Sequence, residues 1–317
     1  MTEGHSKRRG RKRLMWIALI VVALIVAGFL ALQFALSRNA PAVLDTVDGI
    51  AGPNSGVERV HEASTGPAAQ QRLFVHRVPE AQGPLPVFVF FHGGAWAHGD
   101  PVDYSFIARN IAPEGYVVVL GGYRMNEPGR YPAMLEDTAA AVGWVHRNIA
   151  EYGGDPDRIV LSGHSAGAYN VAQVALEPRW LEDAGVPQDA IRGVVGLAGP
   201  YDFYPFDTDR SRDAFESVGA GPESQPVNHA RADAPPTLLV HGEDDTVVRI
   251  RNSQALEAAL TQAGARVETL YLPGKTHNDP LLALTNPWRR NPRVFDTVAQ
   301  FLSQVTALSV PVQGQTR

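Results

Sequence analysis

The chain has 317 residues and a formal net charge of −5, so a general nucleic-acid-binding role is not expected. Hydrophobic residues make up 44% of the chain and charged residues 19%, which is typical of a folded protein with a sizeable core and excludes a disordered one. The absence of cysteine excludes disulfides, thiolate metal sites and a cysteine nucleophile.

The first feature along the chain is a basic segment followed by a long apolar run. Six Lys and Arg residues lie between positions 7 and 13, and residues 14–36 contain no charged side chain. As a helix, these 23 residues would be about 35 Å long, enough to cross a bilayer core of about 30 Å. Because basic residues stay on the cytoplasmic side, we expect residues 1–13 inside the cell and the chain beyond residue 36 outside it.

The apolar run has two other interpretations. A cleaved signal peptide is one, with ALS at residues 35–37 as its cleavage site, although the apolar core of such peptides is usually about 7–15 residues. A buried core helix is the other. We expect an uncleaved, single-pass anchor with a periplasmic or extracytoplasmic domain, and secretion after cleavage is the alternative.

Composition also predicts how the remainder of the chain is divided. Residues 37–56 are rich in Ala, Pro, Asn and Gly, which indicates a linker. A folded domain is expected at residues 57–308. The last segment, residues 309–317, is expected to be a flexible tail.

Short apolar runs alternate with helical patterns through this domain. The apolar runs predict strands at residues 72–78, 86–94, 116–123, 157–163, 191–199, 237–242 and 267–274. Helical spacing of apolar residues predicts helices at residues 133–153, 166–176, 252–264 and 293–308. Strands that are apolar on both faces and separated by helices predict an α/β fold, with a mostly parallel central sheet and helices on both faces.

Polar side chains follow four of the predicted strands. They are His92, Ser165, Asp245 and His277. Ligands bind at the carboxyl ends of the strands in sheets of this kind. We therefore expect these four side chains to lie at one edge of the sheet.

Ser165 lies in the stretch IVLSGHSAGAYN, residues 159–170, between a predicted strand and a predicted helix. A strand that turns at once into a helix bends sharply, and Gly163 and Gly167 remove side chains that would collide there. This arrangement indicates a nucleophile elbow, with the serine raised above the sheet edge and a helix amino terminus directed at it. The alternative is a glycine-rich turn in which the serine only caps the helix.

A serine hydroxyl becomes a nucleophile when a histidine, oriented by a carboxylate, removes its proton. In this architecture the three residues follow in the order serine, acid, histidine, which selects Asp245 as the acid and His277 as the base. Asp244 is a weaker candidate because it suits a turn, and Asp279 because it is close to His277 in sequence. The alternatives are an acidic turn and a solvated loop histidine.

The stretch FFHGGAW, residues 90–96, supplies glycines at a strand end, where backbone N–H groups can stabilise an oxyanion. Gly93 and Gly94 are the predicted donors from this loop, with help from Ala95. The backbone N–H of Ala166, directly after the serine, is the predicted third donor. The alternative is that the two glycines form only a turn.

Two further residues of this loop have supporting roles in our interpretation. We expect His92 to brace the loop by hydrogen bonding and Trp96 to pack or to line the pocket. His92 and His98 also suggest metal ligation, but no third ligand stands at a suitable spacing. We therefore expect no metal and no other cofactor.

These stretches together resemble the α/β-hydrolase superfamily, in particular carboxylesterases and lipases with a His-Gly-Gly-x-Trp oxyanion loop, such as the BD-FAE-like and arylformamidase-like esterases. The resemblance spans about residues 55–308. Its supporting stretches are HGGAW (92–96), GYR (122–124), residues 131–168 around GHSAG, HGEDD (241–245) and GKTH (274–277). Ala95 stands where relatives of hormone-sensitive lipase have a third glycine, which favours this branch. The resemblance implies ester hydrolysis through an acyl-enzyme without a cofactor.

The expected function is that of a membrane-anchored serine esterase acting on a small-molecule ester. One alternative is an arylformamidase or another amide or peptide hydrolase. The other, from a different class, is a catalytically inactive, membrane-anchored binding protein, which the complete set of catalytic elements argues against. Residues 199–236 are long for a connection and form either a lid with packed aromatic residues or part of an acyl pocket. Nothing in the sequence specifies an oligomeric state.

Overall fold

A computed structural model of the chain describes residues 3–52, 56–216, 221–286 and 292–308. The tail predicted at residues 309–317 lies outside these described residues. Within them, the strands are β1 (Glu58–Ser64), β2 (Arg72–Arg77), β3 (Leu85–Phe91), β4 (Val117–Gly121), β5 (Gly154–His164), β6 (Ile191–Leu197), β7 (Thr237–Gly242) and β8 (Val267–Leu272).

The strands form one sheet in the order β1-β2-β4-β3-β5-β6-β7-β8. β2 is antiparallel to both of its neighbours, β1 and β4. The pairs from β4 through β8 are all parallel. This topology confirms the predicted mostly parallel sheet.

The α-helices are α1 (Glu3–Ala51), α2 (Ser105–Ile111), α3 (Ala133–Asn148), α4 (Ala166–Leu176), α5 (Arg179–Asp183), α6 (Asp209–Phe215), α7 (Arg251–Ala263), α8 (Asp279–Leu282) and α9 (Pro292–Thr306). Successive side chains of a strand point to opposite faces, and buried strands therefore build two cores. In β3, Val87 and Val89 belong to the core that includes α3 and α4. Phe88 and Phe90 belong to the core that includes α2 and α9, which confirms helices on both faces.

Helix α1 contains the apolar run and continues beyond it. The segment Leu14–Ala35 has 22 residues and a mean hydropathy of 2.9, and none of it is buried within the protein. The helix is kinked at Asn39, whose φ and ψ are −155° and 82°. The Asn39 side chain accepts a hydrogen bond from the Ala42 N–H at 3.2 Å, and Pro41 lies in the first turn after the kink, where a missing N–H costs nothing.

The part of α1 after the kink packs against the folded domain. Asp48 is 1% exposed, and its carboxylate accepts hydrogen bonds from Arg109 Nε at 2.8 Å and from the Asn286 backbone N–H at 2.6 Å. Asp45 accepts from the backbone N–H of Phe106 at 2.7 Å. This corrects the linker predicted at residues 37–56, because the segment is helical through Ala51 and held by buried polar contacts.

Candidate active site

Ser165 sits at a sharp bend between β5 and α4. Its φ and ψ are 53° and −120°, an uncommon conformation for a residue with a side chain, of the kind found where strain serves a site. A Cβ at residue 163 would lie 2.4 Å from the backbone of Gly167, and one at residue 167 would lie 2.2 Å from the Phe91 carbonyl oxygen. Both glycines are therefore required by close backbone approach.

The side chains of Ser165, His277 and Asp245 form one chain of hydrogen bonds at the carboxyl edge of the sheet. Ser165 Oγ lies 3.0 Å from His277 Nε2, and His277 Nδ1 lies 2.7 Å from Asp245 Oδ2. A carboxylate at Nδ1 favours the tautomer with the proton on that nitrogen, which leaves Nε2 to accept the serine proton. Ser165 and His277 are 112 positions apart in sequence, and Asp245 and His277 are 32 positions apart.

The Asp245 carboxylate is held in its ionised form. Oδ1 accepts hydrogen bonds from the backbone N–H groups of Val247 and Val248 at 2.8 and 2.9 Å. Burial raises the pKa of this carboxyl, but hydrogen bonds from His241 and His277 outweigh burial and hold the pKa well below its usual range. The carboxylate therefore stays charged across the pH range in which a histidine titrates.

Two buried histidines around this chain were not predicted. His241 Nε2 lies 3.2 Å from Asp245 Oδ2 and 2.7 Å from the Val248 carbonyl, and its Nδ1 lies 2.7 Å from Ser253 Oγ. His164 Nε2 lies 3.1 Å from the His277 carbonyl. Burial lowers the pKa of His164 to about 3, so it is neutral and donates to that carbonyl. His164 lies within GHSAG and His241 begins HGEDD, and their presence in these stretches was the available signal.

The weaker acid candidates lie elsewhere. Asp244 is exposed, and its backbone N–H donates to the Lys275 carbonyl at 2.9 Å in a turn. Asp279 Oδ2 accepts from the backbone N–H and the hydroxyl of Thr276 at 2.7 and 2.8 Å. Neither carboxylate is the partner of His277 Nδ1.

The loop after β3 has an unusual backbone. Gly94 has a φ of 120°, and a Cβ there would lie 1.9 Å from the His98 carbonyl oxygen. Ala95 and Trp96 have φ values of 52° and 55°, so two consecutive residues with side chains adopt the left-handed region. The Gly94 carbonyl accepts from the N–H groups of Ala97 and His98 at 3.0 and 3.1 Å, which closes the turn.

Of the predicted oxyanion donors, Ala95 and Ala166 line the cavity beside Ser165, whereas Gly93 and Gly94 do not. Among the described residues, none accepts a hydrogen bond from the backbone N–H of Gly94 or Ala95. A Cβ on Gly93 would lie 2.9 Å from the His164 carbonyl oxygen and 3.1 Å from the Ser165 Cβ, so this glycine allows the loop to approach the elbow closely.

His92 and Trp96 make the contacts that fix this loop. The His92 ring stacks on Tyr123 at 4.7 Å, and its Nδ1 lies 2.8 Å from the Gly93 carbonyl. Burial lowers the pKa of His92, so the neutral ring donates from Nδ1. Trp96 Nε1 donates to Asn170 Oδ1 at 3.1 Å, and its ring is 5.1 Å from that of Phe215.

A cavity of about 360 Å³ opens beside Ser165. One wall is apolar and contains Ala95, Trp96, Pro200, Phe203, Val247 and Val248. Within the segment 199–236, Phe203 lines this cavity, whereas Tyr201 is fully buried. The Phe206 ring packs on Phe215 at 5.0 Å, and Tyr204 is 48% exposed. Phe203 therefore fits the role of a pocket residue, whereas Tyr201 and Phe206 pack this segment against the rest of the domain.

Comparisons with known proteins point to one family. The BD-FAE family model matches residues 73–260, which include the elbow and the loop after β3. Isoprenylcysteine alpha-carbonyl methylesterase ICME from Arabidopsis thaliana is 31% identical over 245 residues, covering 71% of this chain and 57% of that protein. Esterase LipC from Mycobacterium tuberculosis is 30% identical over 244 residues, covering 70% of this chain and 59% of that protein.

A solved structure extends the similarity over most of the chain. The thermostable esterase from Pseudomonas putida ECU1011 aligns with a TM-score of 0.67 and 27% identity, covering 86% of this chain and 90% of that one. This chain spans less than three fifths of the length of the two curated relatives named above. The family model matches more than half of the present sequence, and the chain therefore belongs to the BD-FAE family, within the α/β-hydrolases of carboxylesterase type.

Proposed function

We propose that the protein is a serine hydrolase that cleaves carboxylic esters through an acyl-enzyme. The observation that carries this proposal is the continuous hydrogen-bonded chain from Ser165 through His277 to Asp245. Relatives of this chain are named esterases, which supports the same chemistry. Because the chain spans only part of those relatives, their substrates are not transferred to it.

In the first step, His277 Nε2 accepts the Ser165 proton while Oγ attacks the ester carbonyl. Asp245 orients the imidazole and stabilises its positive charge. In this proposal the backbone N–H groups of Ala95 and Ala166 donate to the new oxyanion, and those of Gly93 and Gly94 are the other candidate donors. His277 then protonates the leaving alcohol, and a water activated by the same residue releases the acid.

The first test is hydrolysis of 4-nitrophenyl butyrate by the full-length chain in a non-ionic detergent. We expect turnover, and we expect Ser165→Ala to reduce kcat at least about 10⁴-fold because the nucleophile is lost. Ser303→Ala, an exposed position on α9, is the matched control and should retain wild-type turnover.

Three other outcomes would change the assignment. Equal turnover by Ser165→Ala would refute the role of the elbow serine. Turnover of N-formyl aryl amines well above that of esters would assign the protein to the arylformamidase alternative. No turnover over a panel of acyl lengths or of these amides would favour the inactive binding protein.

We further propose that residues 14–36 anchor the protein in a membrane, with residues 1–13 cytoplasmic and the catalytic domain outside the cytoplasm. The support is an apolar helical segment with no buried residue and the basic segment before it. A reporter fused after residue 308 should be active only outside the cytoplasm, and cytoplasmic activity would contradict this orientation. Release of the domain from membranes by processing near residue 37 would favour the signal-peptide alternative.

A further inference from the structure

Three arginines converge on the cavity beside Ser165. Arg210 comes from α6, Arg249 from the segment between Asp245 and α7, and Arg251 is the first residue of α7; all three line the cavity. The other ionisable residue of the lining is Asp207. The lining therefore carries three guanidinium groups and one carboxylate.

All three arginines are exposed, and none of their guanidinium groups has a carboxylate partner among the described residues. Five other arginines of the domain have one: Arg72 pairs with Asp100, Arg109 with Asp48, Arg124 with Asp137, Arg130 with Asp213 and Arg158 with Asp155. Arg77, Arg147 and Arg192, which lie away from the cavity, instead donate to backbone carbonyls. The protein as a whole has a net charge of −5. The positive charge of this cavity is therefore a local feature, opposite in sign to the net charge of the protein.

The backbone adds to the positive potential at the same place. α7 has 13 residues and begins at Arg251, so its amino end lies at the part of the cavity lining that Arg251 and Asn252 form, although the Asn252 N–H itself donates to the Arg249 carbonyl at 3.0 Å. The amino end of a helix favours negative charge. The first residue of α4, Ala166, also lines the cavity, beside the serine itself.

We propose that the preferred substrates are esters that carry an anionic group, such as a carboxylate or a phosphate, at the end away from the scissile bond. This inference rests on the proposed ester hydrolysis and specifies its substrate class. The apolar wall at Trp96 and Phe203 takes the hydrocarbon part of the substrate, and the arginines pair with its charge. Guanidinium groups suit carboxylate and phosphate alike because their fork of donors matches both.

Two pairs of matched esters test the proposal on the full-length chain in a non-ionic detergent. The acyl-side pair is 4-nitrophenyl hydrogen glutarate and 4-nitrophenyl glutaramate, and the alcohol-side pair is 4-acetoxybenzoate and 4-acetoxybenzamide. Each pair differs by a carboxylate against a carboxamide of similar shape. We compare kcat/KM within each pair after subtraction of the uncatalysed hydrolysis rate of each ester, because the glutarate carboxylate also attacks its own ester.

We expect one pair to show a preference of about tenfold for the anion at low salt, since each exposed guanidinium–carboxylate contact supplies a factor of up to about five. The pair that shows it identifies the side of the ester that faces the arginines. The preference should fall to less than about threefold at roughly 0.5 M salt because exposed charges are screened. The combined variant R210Q/R249Q/R251Q should abolish the preference, because the anionic ester loses more kcat/KM than its neutral partner.

The control variant R147Q/R192Q/R266Q removes the same charge at positions that do not line the cavity, and it should keep the preference. Turnover of the neutral esters without any preference for either anion would overturn this proposal and leave the proposed function standing. The same holds if the preference survives in R210Q/R249Q/R251Q or is lost equally in the control. Failure to hydrolyse any of the four esters would overturn both.

Discussion

Replacing Asp245 by asparagine is expected to lower kcat about 10⁴-fold in the ester assay while leaving the protein folded. Asparagine is close in shape, but its amide can donate a hydrogen bond to His277 Nδ1. That bond favours the tautomer whose proton lies on Nε2, which faces the serine at 3.0 Å and must be free to accept. The loss is therefore one of function rather than of packing.

The measurement is kcat for 4-nitrophenyl butyrate together with the thermal unfolding midpoint of each variant. Asp244→Asn is the matched control, because it is adjacent, exposed and hydrogen-bonded through its backbone. It should retain kcat within about threefold, as is usual for a surface substitution. A kcat for Asp245→Asn within tenfold of wild type would show that this carboxylate does not orient the base.

Replacing Asp48 by alanine is expected to destabilise the domain by about 3 kcal/mol, although the residue lies outside the cavity. Its carboxylate is 1% exposed and accepts from Arg109, Asn110 and the backbone of Asn286. Truncation removes the acceptor of Arg109 Nε and of the Asn286 backbone N–H, whereas Asn110 Nδ2 keeps the Phe106 carbonyl and Arg109 Nη2 keeps Asp45. An unsatisfied buried group costs more than the net value of the bond it loses. For a domain of this size the unfolding midpoint should fall by about 6–12 °C.

This prediction is measured by thermal unfolding of the full-length chain in one detergent at one scan rate. Asp233→Ala is the control, since Asp233 also pairs with an arginine, Arg231, but its side chain is 84% exposed, and its loss should cost less than about 1 kcal/mol. A fragment that begins at residue 38 keeps the Asn39 contacts and should keep the wild-type midpoint, and one that begins at residue 57 should lose at least as much as Asp48→Ala. Equal midpoints for all variants would show that the second part of α1 is not part of the fold.

The sequence was most informative where a strand is buried on both faces. The strands predicted at residues 86–94 and 237–242 are β3 and β7, because continuous apolar runs have no other stable place in such a sheet. β1 was missed: its sequence ERVHEAS is mostly polar, and its burial pattern is largely exposed. An edge strand that buries little gives no periodic apolar signal.

The docked part of α1 could not be predicted for a different reason. Its stabilising partners, Arg109 and Asn286, lie 61 and 238 positions from Asp48. Such pairing is visible only after the chain has folded, whereas the Ala, Pro and Asn content of the segment is visible at once and indicates a linker. Composition reports local preference, and here tertiary contacts override it.

At the site, the order of residues along the chain predicted that Ser165, Asp245 and His277 act together. The structure brings their side chains within hydrogen-bonding distance, because the topology brings the ends of their strands together. The supporting histidines His164 and His241 were not recognised, since their contacts run to a backbone carbonyl and to a carboxylate already counted. The three cavity arginines come from two separate segments, and no local pattern connects them.

The most direct test of this account is the site of covalent modification by a fluorophosphonate, which reacts with an activated serine. Incubation of the full-length chain with the reagent, followed by peptide mass spectrometry, should find one adduct, on Ser165, and turnover should fall in proportion to the modified fraction. His277→Ala should react far more slowly because the base is missing. An adduct on another residue that accompanies full inactivation, or turnover that persists when Ser165 is fully modified, would contradict the account.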